Sequence, residues 1–304
     1  MRNTFVDALV RRAASDERIF LVTPDMGFSV LERFRDRFPD RFLNVGIAEQ
    51  NAIGVASGLA LSGHLVYVYS IVPFVTMRCY EQVRNDVAYM RTQVRLIGIG
   101  GGLTYGPAGP THHSIEDIAI MRALPNMTVC CPGDPVETRG IIERSFEFDG
   151  PMYVRLGKSG ERNLHVSDAR IEIGKAVTMS QGGDAALITT GNTLEMGCET
   201  CARLRREGIG VLHLSMPTVK PIDEQAIQNI LASGMPLFTL EEHNVIGGLG
   251  SAVAEIVAES EGSVPFHRIG VPDIFVSWVG GQEFLREKCG MNDLENRIRG
   301  VLRG

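Results

Sequence analysis

The sequence predicts an α/β protein of two domains, each a three-layer α/β/α arrangement around a mainly parallel sheet. Short β-branched runs alternate with longer helical patterns, the rhythm of strand–helix–strand crossovers. The strand-like runs are short and apolar, as in strands buried on both faces. A polar, turn-rich stretch at 158–174 interrupts the rhythm once before it resumes, dividing the chain into about 1–165 and 170–304.

The first twenty residues, MRNTFVDALVRRAASDERIF, form an amphipathic helix pattern with charges of both signs. RIFLVTP (18–24), LVYVYSIV (65–72), VRLIGIG (94–100), MTVCCP (127–132) and PMYVRLG (151–157) read as strands. Helical stretches lie near 30–37, 47–62, 74–90, 115–123 and 134–147. After the linker-like KSGERNLHVSDARIEIG, strands are expected at 184–190, 209–215, 236–241 and 265–270, and helices at 193–206, 223–232 and 248–260. HNVIGGLG (243–250) lacks the G-x-G-x-x-G spacing of a dinucleotide site and reads as close helix–sheet packing.

The 304 residues are 44% hydrophobic and 22% charged, enough for two globular cores. The net charge of −6 and the scattered basic residues give no reason to expect nucleic acid. No apolar run reaches the roughly 18 residues a membrane span needs. The N-terminal stretch has no signal-peptide core, so a cytoplasmic protein is expected. Six cysteines are spread along the chain. The Cys198–Cys201 pair falls in a helical pattern with no second ligand pair, so buried, reduced cysteines are expected rather than a zinc site.

One acid stands apart. Between Phe42 and Met77, Glu49 is the only Asp, Glu, Lys or Arg. It falls in the first turn of the helix expected at 47–62, where the helix dipole favours a carboxylate. Gly54 and Gly58, with Ala48, Ala52, Ala56 and Ala60, let another backbone come close. Two readings stay open from these residues: a first-turn acid facing solvent, or a carboxyl in a dry site with its pKa raised by desolvation, ready for proton transfer. The lack of charged company favours the second.

DRFLNVGIAEQNAIGVASGLALSG (40–63), YEQVRNDVAY (80–89), GPTHHSIEDIAIMRALPNMTVCCPGDPVETR (109–139) and FTLEEHNVIGGLGSAVAE (238–255) together resemble the transketolase family of thiamine diphosphate enzymes. The resemblance implies a pyrimidine-binding domain followed by a transketolase C-terminal domain. It also implies that Glu49 hydrogen-bonds N1′ of the cofactor's aminopyrimidine and favours the tautomer that takes the thiazolium proton. A dry, low-dielectric site strengthens such a bond. Phe74 matches the aromatic against the pyrimidine face, or else a core phenylalanine, with Ile71 and Met77 completing an apolar wall. His112 matches a histidine that exchanges protons with substrate or binds its hydroxyls, and His113 stands where many relatives have Gln.

Asp25, at the C-terminal end of the first strand, lies where α/β folds place ligands, and it matches an aspartate near the thiazolium. Ser29 aligns with a substrate-contacting serine and Arg2 with a basic residue reaching a sugar phosphate. Two departures weaken the match to ordinary pentose phosphates. Pro107 and Ala108 replace the acidic residues of GEDGPTH, and GIGGG (98–102) stands where a histidine often occurs. Arg155 and Lys158 could supply anion contacts instead, although Arg155 also reads as a strand-end surface charge.

The family's GDG…N motif for Mg²⁺ and diphosphate does not occur here. The resemblance therefore implies an N-terminal, diphosphate-binding partner subunit that supplies the Mg²⁺ site, in an α₂β₂ assembly. The expected activity is transfer of a two-carbon ketol unit from a ketose to an aldehyde. The alternatives are a thiamine-dependent transferase that decarboxylates a 2-oxo acid such as pyruvate, and a non-catalytic supporting subunit.

Overall fold

Two sheets organise the chain in a computed structural model that describes residues 1–158, 160–165 and 169–303. Ser159 and residues 166–168 of the expected linker lie outside the described residues. The first half contains α1 (Arg2–Ala13), β1 (Ile19–Thr23), α2 (Glu32–Arg37), β2 (Phe42–Asn44), α3 (Glu49–Leu61), β3 (Leu65–Ile71), α4 (Val72–Thr76) and α5 (Tyr80–Gln82). It continues with β4 (Val94–Ile99), α6 (Asp117–Ala123), β5 (Thr128–Cys130), α7 (Pro135–Ser145) and β6 (Met152–Leu156). The second half contains β7 (Val177–Ser180), β8 (Ala185–Thr189), α8 (Leu194–Arg206), β9 (Val211–Ser215), β10 (Thr218–Lys220) and α9 (Glu224–Ser233). It ends with β11 (Leu237–Asn244), α10 (Leu249–Glu259), β12 (Phe266–Val271), α11 (Gln282–Lys288) and α12 (Leu294–Arg303).

The first sheet runs β10-β5-β6-β4-β3-β1-β2 and is parallel except at β10. The second runs β12-β11-β8-β9-β7 and is parallel except at β7. Every residue of β3, β4 and β6 is buried, because helices cover both faces. One face packs Phe5 and Leu9 of α1 with Ile141 and Ile142 of α7. The other packs Ala52, Ile53 and Ala56 of α3 with Ile118 and Met121 of α6. Each large apolar side chain so buried contributes about 1.5–3 kcal/mol.

The strands β7 and β10 and the helices α11 and α12 go beyond the sequence expectations, whereas β2 lies in the short extended piece RFLNV expected before α3. The strands are three or four residues long, too short to show a period. β10 leaves its own half and pairs with β5, Thr218 opposite Cys130, so the second half closes the edge of the first sheet. The helix expected over 74–90 is broken. α4 stops at Thr76, α5 restarts at Tyr80, and Val83–Tyr89 continue as a wide π-helical coil, a form common at functional sites. All six cysteines are free, and only Cys198 is partly exposed.

Asp134 shows how the chain between the halves is held. Its Oδ1 caps α7 by accepting the Glu137 N–H at 2.7 Å, and its Oδ2 accepts the Leu164 and His165 N–H groups at 2.8 and 3.0 Å. No described helix is long and apolar enough to cross a membrane.

Candidate functional site

β1, β3 and β4 are neighbours in register, so the loops that follow them open along one edge of the sheet. Asp25 follows β1, Phe74 follows β3, and the loop with His112 follows β4. α3 starts at the same edge with Glu49, which is 5% exposed. Ala52, Ile53 and Ala56 anchor α3 to the sheet, and this draws the acid inward.

Glu49 is not alone. Arg78, in the break between α4 and α5, donates from Nη1 to Glu49 Oε1 at 2.8 Å. Its side chain is 45% exposed, so the cation reaches in from the surface. The guanidinium carbon also lies 4.3 Å from the Phe74 ring centroid, a cation–π stack. The Phe74 ring in turn meets His112 edge-on, with centroids 5.3 Å apart at 72°. Glu49, Arg78, Phe74 and His112 thus form one continuous row. Arg78 was missed in the sequence, although the charge-free window around Glu49 ends one residue before it.

His112 Nδ1 shares a hydrogen bond with Thr111 Oγ1 at 3.0 Å, and its ring lies 6.2 Å from Tyr105. Lys158 Nζ sits 4.6 Å from the Tyr105 centroid. Burial raises the pKa of the Tyr69 and Tyr105 hydroxyls, and the charge of nearby Arg2 opposes both shifts. Arg2 and Lys158 therefore flank Tyr105 beside the histidine. Ile71, the last residue of β3, is buried, whereas Met77 is 36% exposed.

Asp25 and Ser29 have left-handed backbones, φ +54° and +61°, which cost free energy at non-glycine residues. Asn44, a second residue missed in the sequence, holds the first of these. Its Oδ1 accepts the Asp25 and Gly46 N–H groups at 3.0 and 2.9 Å, and its Nδ2 donates to Asp25 Oδ1 at 2.9 Å. Ser29 is exposed, with its N–H bound to Glu32 Oε1 at 2.9 Å.

Arg155 requires a correction. Neither a surface charge nor an open anion contact, it is 3% exposed and fully engaged inside the protein. It donates from Nε to Asp117 Oδ2 at 2.8 Å and from Nη2 to the Ser114 and Glu242 carbonyls at 2.7 and 3.0 Å. A strand-end arginine facing solvent would have no such acceptors, and one in the interior needs them all. His113 is also buried, neither ring nitrogen has a hydrogen-bond partner among the described residues, and burial lowers its pKa.

Glu242 of β11 locks the two halves together. It accepts the Leu103 N–H at 2.6 Å and Gln282 Nε2 at 2.8 Å, and it pairs with Arg286. This explains part of GIGGG. Gly102 has φ +71°, and a Cβ there would lie 2.2 Å from Glu242 Oε1. The glycine run makes room for the lock beneath the His112 loop.

The arrangement fits the pyrimidine end of thiamine diphosphate. It offers a buried carboxylate and an aromatic face, both now engaged by the flat N–H donor of Arg78. The outer face of α3 is open: nothing lies within 4 Å of a Cβ built on Gly54 or Gly58, and Ile47, just before the helix, is 80% exposed. Phe28, in the loop after β1, is 73% exposed as well. Among the described residues no three His, Cys, Asp or Glu side chains gather as a metal site.

Residues 1–162 match the family model "Transketolase, pyrimidine binding domain", and residues 174–286 match "Transketolase, C-terminal domain". The chain is 36% identical over 259 residues to one subunit of the apulose-4-phosphate transketolase of Actinobacillus succinogenes, covering 85% of this chain and 83% of that protein. It is 37% identical over 296 residues to the 6-deoxy-6-sulfo-D-fructose transketolase subunit SqwH of Clostridium sp., covering 97% and 91%. A solved structure described as "Split gene transketolase, inactive beta4 tetramer" superposes with a TM-score of 0.89 at 34% identity, covering 99% of this chain and 97% of that one.

Proposed function

The chain belongs to the transketolase family as the subunit that carries the pyrimidine-binding and C-terminal domains, and we propose that it completes a two-chain, thiamine diphosphate-dependent enzyme moving a two-carbon ketol unit from a ketose to an aldehyde. One observation carries this reading: a buried carboxylate, Glu49, is linked through Arg78 to the Phe74 ring, which meets the His112 ring edge-on.

When bound, thiamine diphosphate supplies a carbanion-stabilising centre. Glu49 holds a proton at N1′ of the pyrimidine. Phe74, Ile71 and Met77 orient the ring by apolar contact, without competing for its nitrogens. Asp25, held by Asn44, presents a carboxylate at the thiazolium side. His112 moves protons to and from the substrate's reacting hydroxyl.

The two relatives are named for a phosphate-bearing and a sulfo-bearing sugar. Arg2 and Lys158 suit a ketose with an anionic end, with Ser29 as a hydroxyl contact. Pro107 and Ala108 remove the acidic handles of the GEDGPTH pattern, which favours a substrate whose hydroxyl pattern differs from the pentose phosphates.

An N-terminal subunit would supply the diphosphate and Mg²⁺ sites in an α₂β₂ assembly, docking over the open face of α3. The solved relative described as an inactive tetramer of β subunits supports the need for that second chain. The free cysteines suit a reducing cytoplasm.

The test is reconstitution with the N-terminal subunit, thiamine diphosphate and Mg²⁺. Two-carbon transfer between ketose and aldehyde is expected. Glu49→Gln should lower turnover by about 10²–10⁴, several kcal/mol of barrier. Carbon dioxide release from pyruvate in place of transfer would establish the decarboxylating alternative, and full turnover by Glu49→Gln would establish the supporting-subunit one.

A further inference from the structure

The contact between Glu49 and Arg78 goes beyond the expected chemistry. Resting on the proposed reading that Glu49 and Phe74 receive the pyrimidine, we infer that Arg78 is an internal placeholder for that ring and must leave when the cofactor enters. A guanidinium is planar, carries N–H donors and stacks on aromatic faces. The aminopyrimidine has the same three properties. Arg78 uses them on the residues assigned to the ring, donating to Glu49 Oε1 at 2.8 Å and stacking 4.3 Å from the Phe74 centroid. A second flat group cannot share that face at stacking distance.

The surroundings fit a movable group rather than a fixed one. Glu49 is 5% exposed and cannot readily turn away, whereas the Arg78 side chain is 45% exposed. Among the described residues, its contact with Glu49 is the only hydrogen bond its side chain makes. It lies in the break between α4 and α5, where Met77, Arg78 and Cys79 belong to no helix. Swinging outward therefore breaks one ion pair and one stack and leaves the packing behind it intact. Arg155, by contrast, is held by several buried acceptors, and Arg286 by the buried Glu242 carboxylate and the Asn192 carbonyl, and neither could move so.

The placeholder keeps a buried carboxylate paired while the ring is absent, since an unpaired buried charge is costly. It also weakens apparent cofactor affinity, because only the fraction of molecules with Arg78 swung out can bind. A partly exposed pair plus one stack sets that fraction at roughly one in five to one in thirty.

The experiment measures thiamine diphosphate binding by calorimetry, with Mg²⁺, on the chain assembled with its N-terminal subunit. Arg78→Ala should tighten binding about fivefold to thirtyfold. Arg78→Lys, which keeps the charge but not the flat plate, should fall between Arg78→Ala and the parent. Glu49→Gln should weaken binding. If Glu49→Gln weakens binding but Arg78→Ala weakens it too or leaves it unchanged, Arg78 is a permanent support of Glu49; the placeholder is overturned while the site stands. If Glu49→Gln leaves binding unchanged in the Arg78→Ala background, where no placeholder is left to release, the site reading fails and the placeholder with it. A crystal structure of the cofactor-loaded assembly gives an answer independent of any variant's folding. Arg78 out of hydrogen-bond reach of Glu49, with the pyrimidine on Phe74, supports displacement; an intact pair beside the bound ring overturns it.

Discussion

Replacing Arg155 by leucine isolates the buried lock between the two halves. Arg155 and Asp117 are 3% and 0% exposed, and their charges meet at 2.8 Å. Without the guanidinium, the one side-chain donor left to Asp117 among the described residues is the Tyr153 hydroxyl, at 2.6 Å. An uncompensated buried charge costs about 3–5 kcal/mol. The Ser114 carbonyl still accepts the Gly102 N–H at 2.9 Å, but the Glu242 carbonyl loses its arginine donor, for about 1 kcal/mol more. The sum, about 4–6 kcal/mol, is comparable to the whole stability of many proteins. Urea unfolding followed by circular dichroism reads it directly as a large fall in midpoint. In the double variant Arg155→Leu/Asp117→Leu the orphaned charge is gone, so most of the loss should return. A single variant that costs less than about 1 kcal/mol would refute the reasoning. If it kept its stability and only raised KM, Arg155 would be the anion contact that the sequence suggested.

Three further outcomes follow from named contacts. The Glu241 carboxyl is pushed up to about 7 by burial, opposed by the Leu249 and Gly250 N–H groups it accepts. Because the folded form holds its proton more tightly than the unfolded chain, this group's contribution is complete below about pH 4.5 and is lost as pH rises through about 7. Comparing Glu241→Gln with the parent by urea unfolding across that window should show the parent losing about 3 kcal/mol relative to the variant. Gly102→Ala must strain a backbone at φ +71° and displace Glu242, so a loss of about 2–4 kcal/mol is expected in the same assay. Asn44→Ala frees Asp25 from its left-handed conformation, and turnover of the reconstituted enzyme should fall about tenfold with little change in unfolding midpoint.

Local patterns and long-range pairings were legible to different degrees, for a physical reason. The α/β rhythm and helices such as α7 and α10 depend on side-chain spacing within ten or so residues, which the sequence displays. Glu49 stood out because its surroundings were apolar, and burial there follows from the same spacing. What was hidden is how charges are matched. A buried charge must meet an opposite one, so a lone acid in an apolar helix implies either a protein partner or a ligand, and the sequence alone does not choose between them. Glu49 finds Arg78 at 29 residues' separation, Arg155 finds Asp117 at 38, and Arg286 finds Glu242 at 44. Strand-end Arg155 therefore looked like a surface charge, and the space left by GIGGG for Arg155 and Glu242 looked like a missing histidine. The three pairs also differ in kind. Those of Arg155 and Arg286 are buried within their own halves, and the Arg155 and Leu103 contacts with Glu242 tie the two together. That of Glu49 lies at the open edge, with one donor and a half-exposed cation. It is the pairing among the three that a ligand could replace without unfolding the protein, and this is why the acid that looked isolated in the sequence remains the candidate for chemistry after its counter-charge has been found.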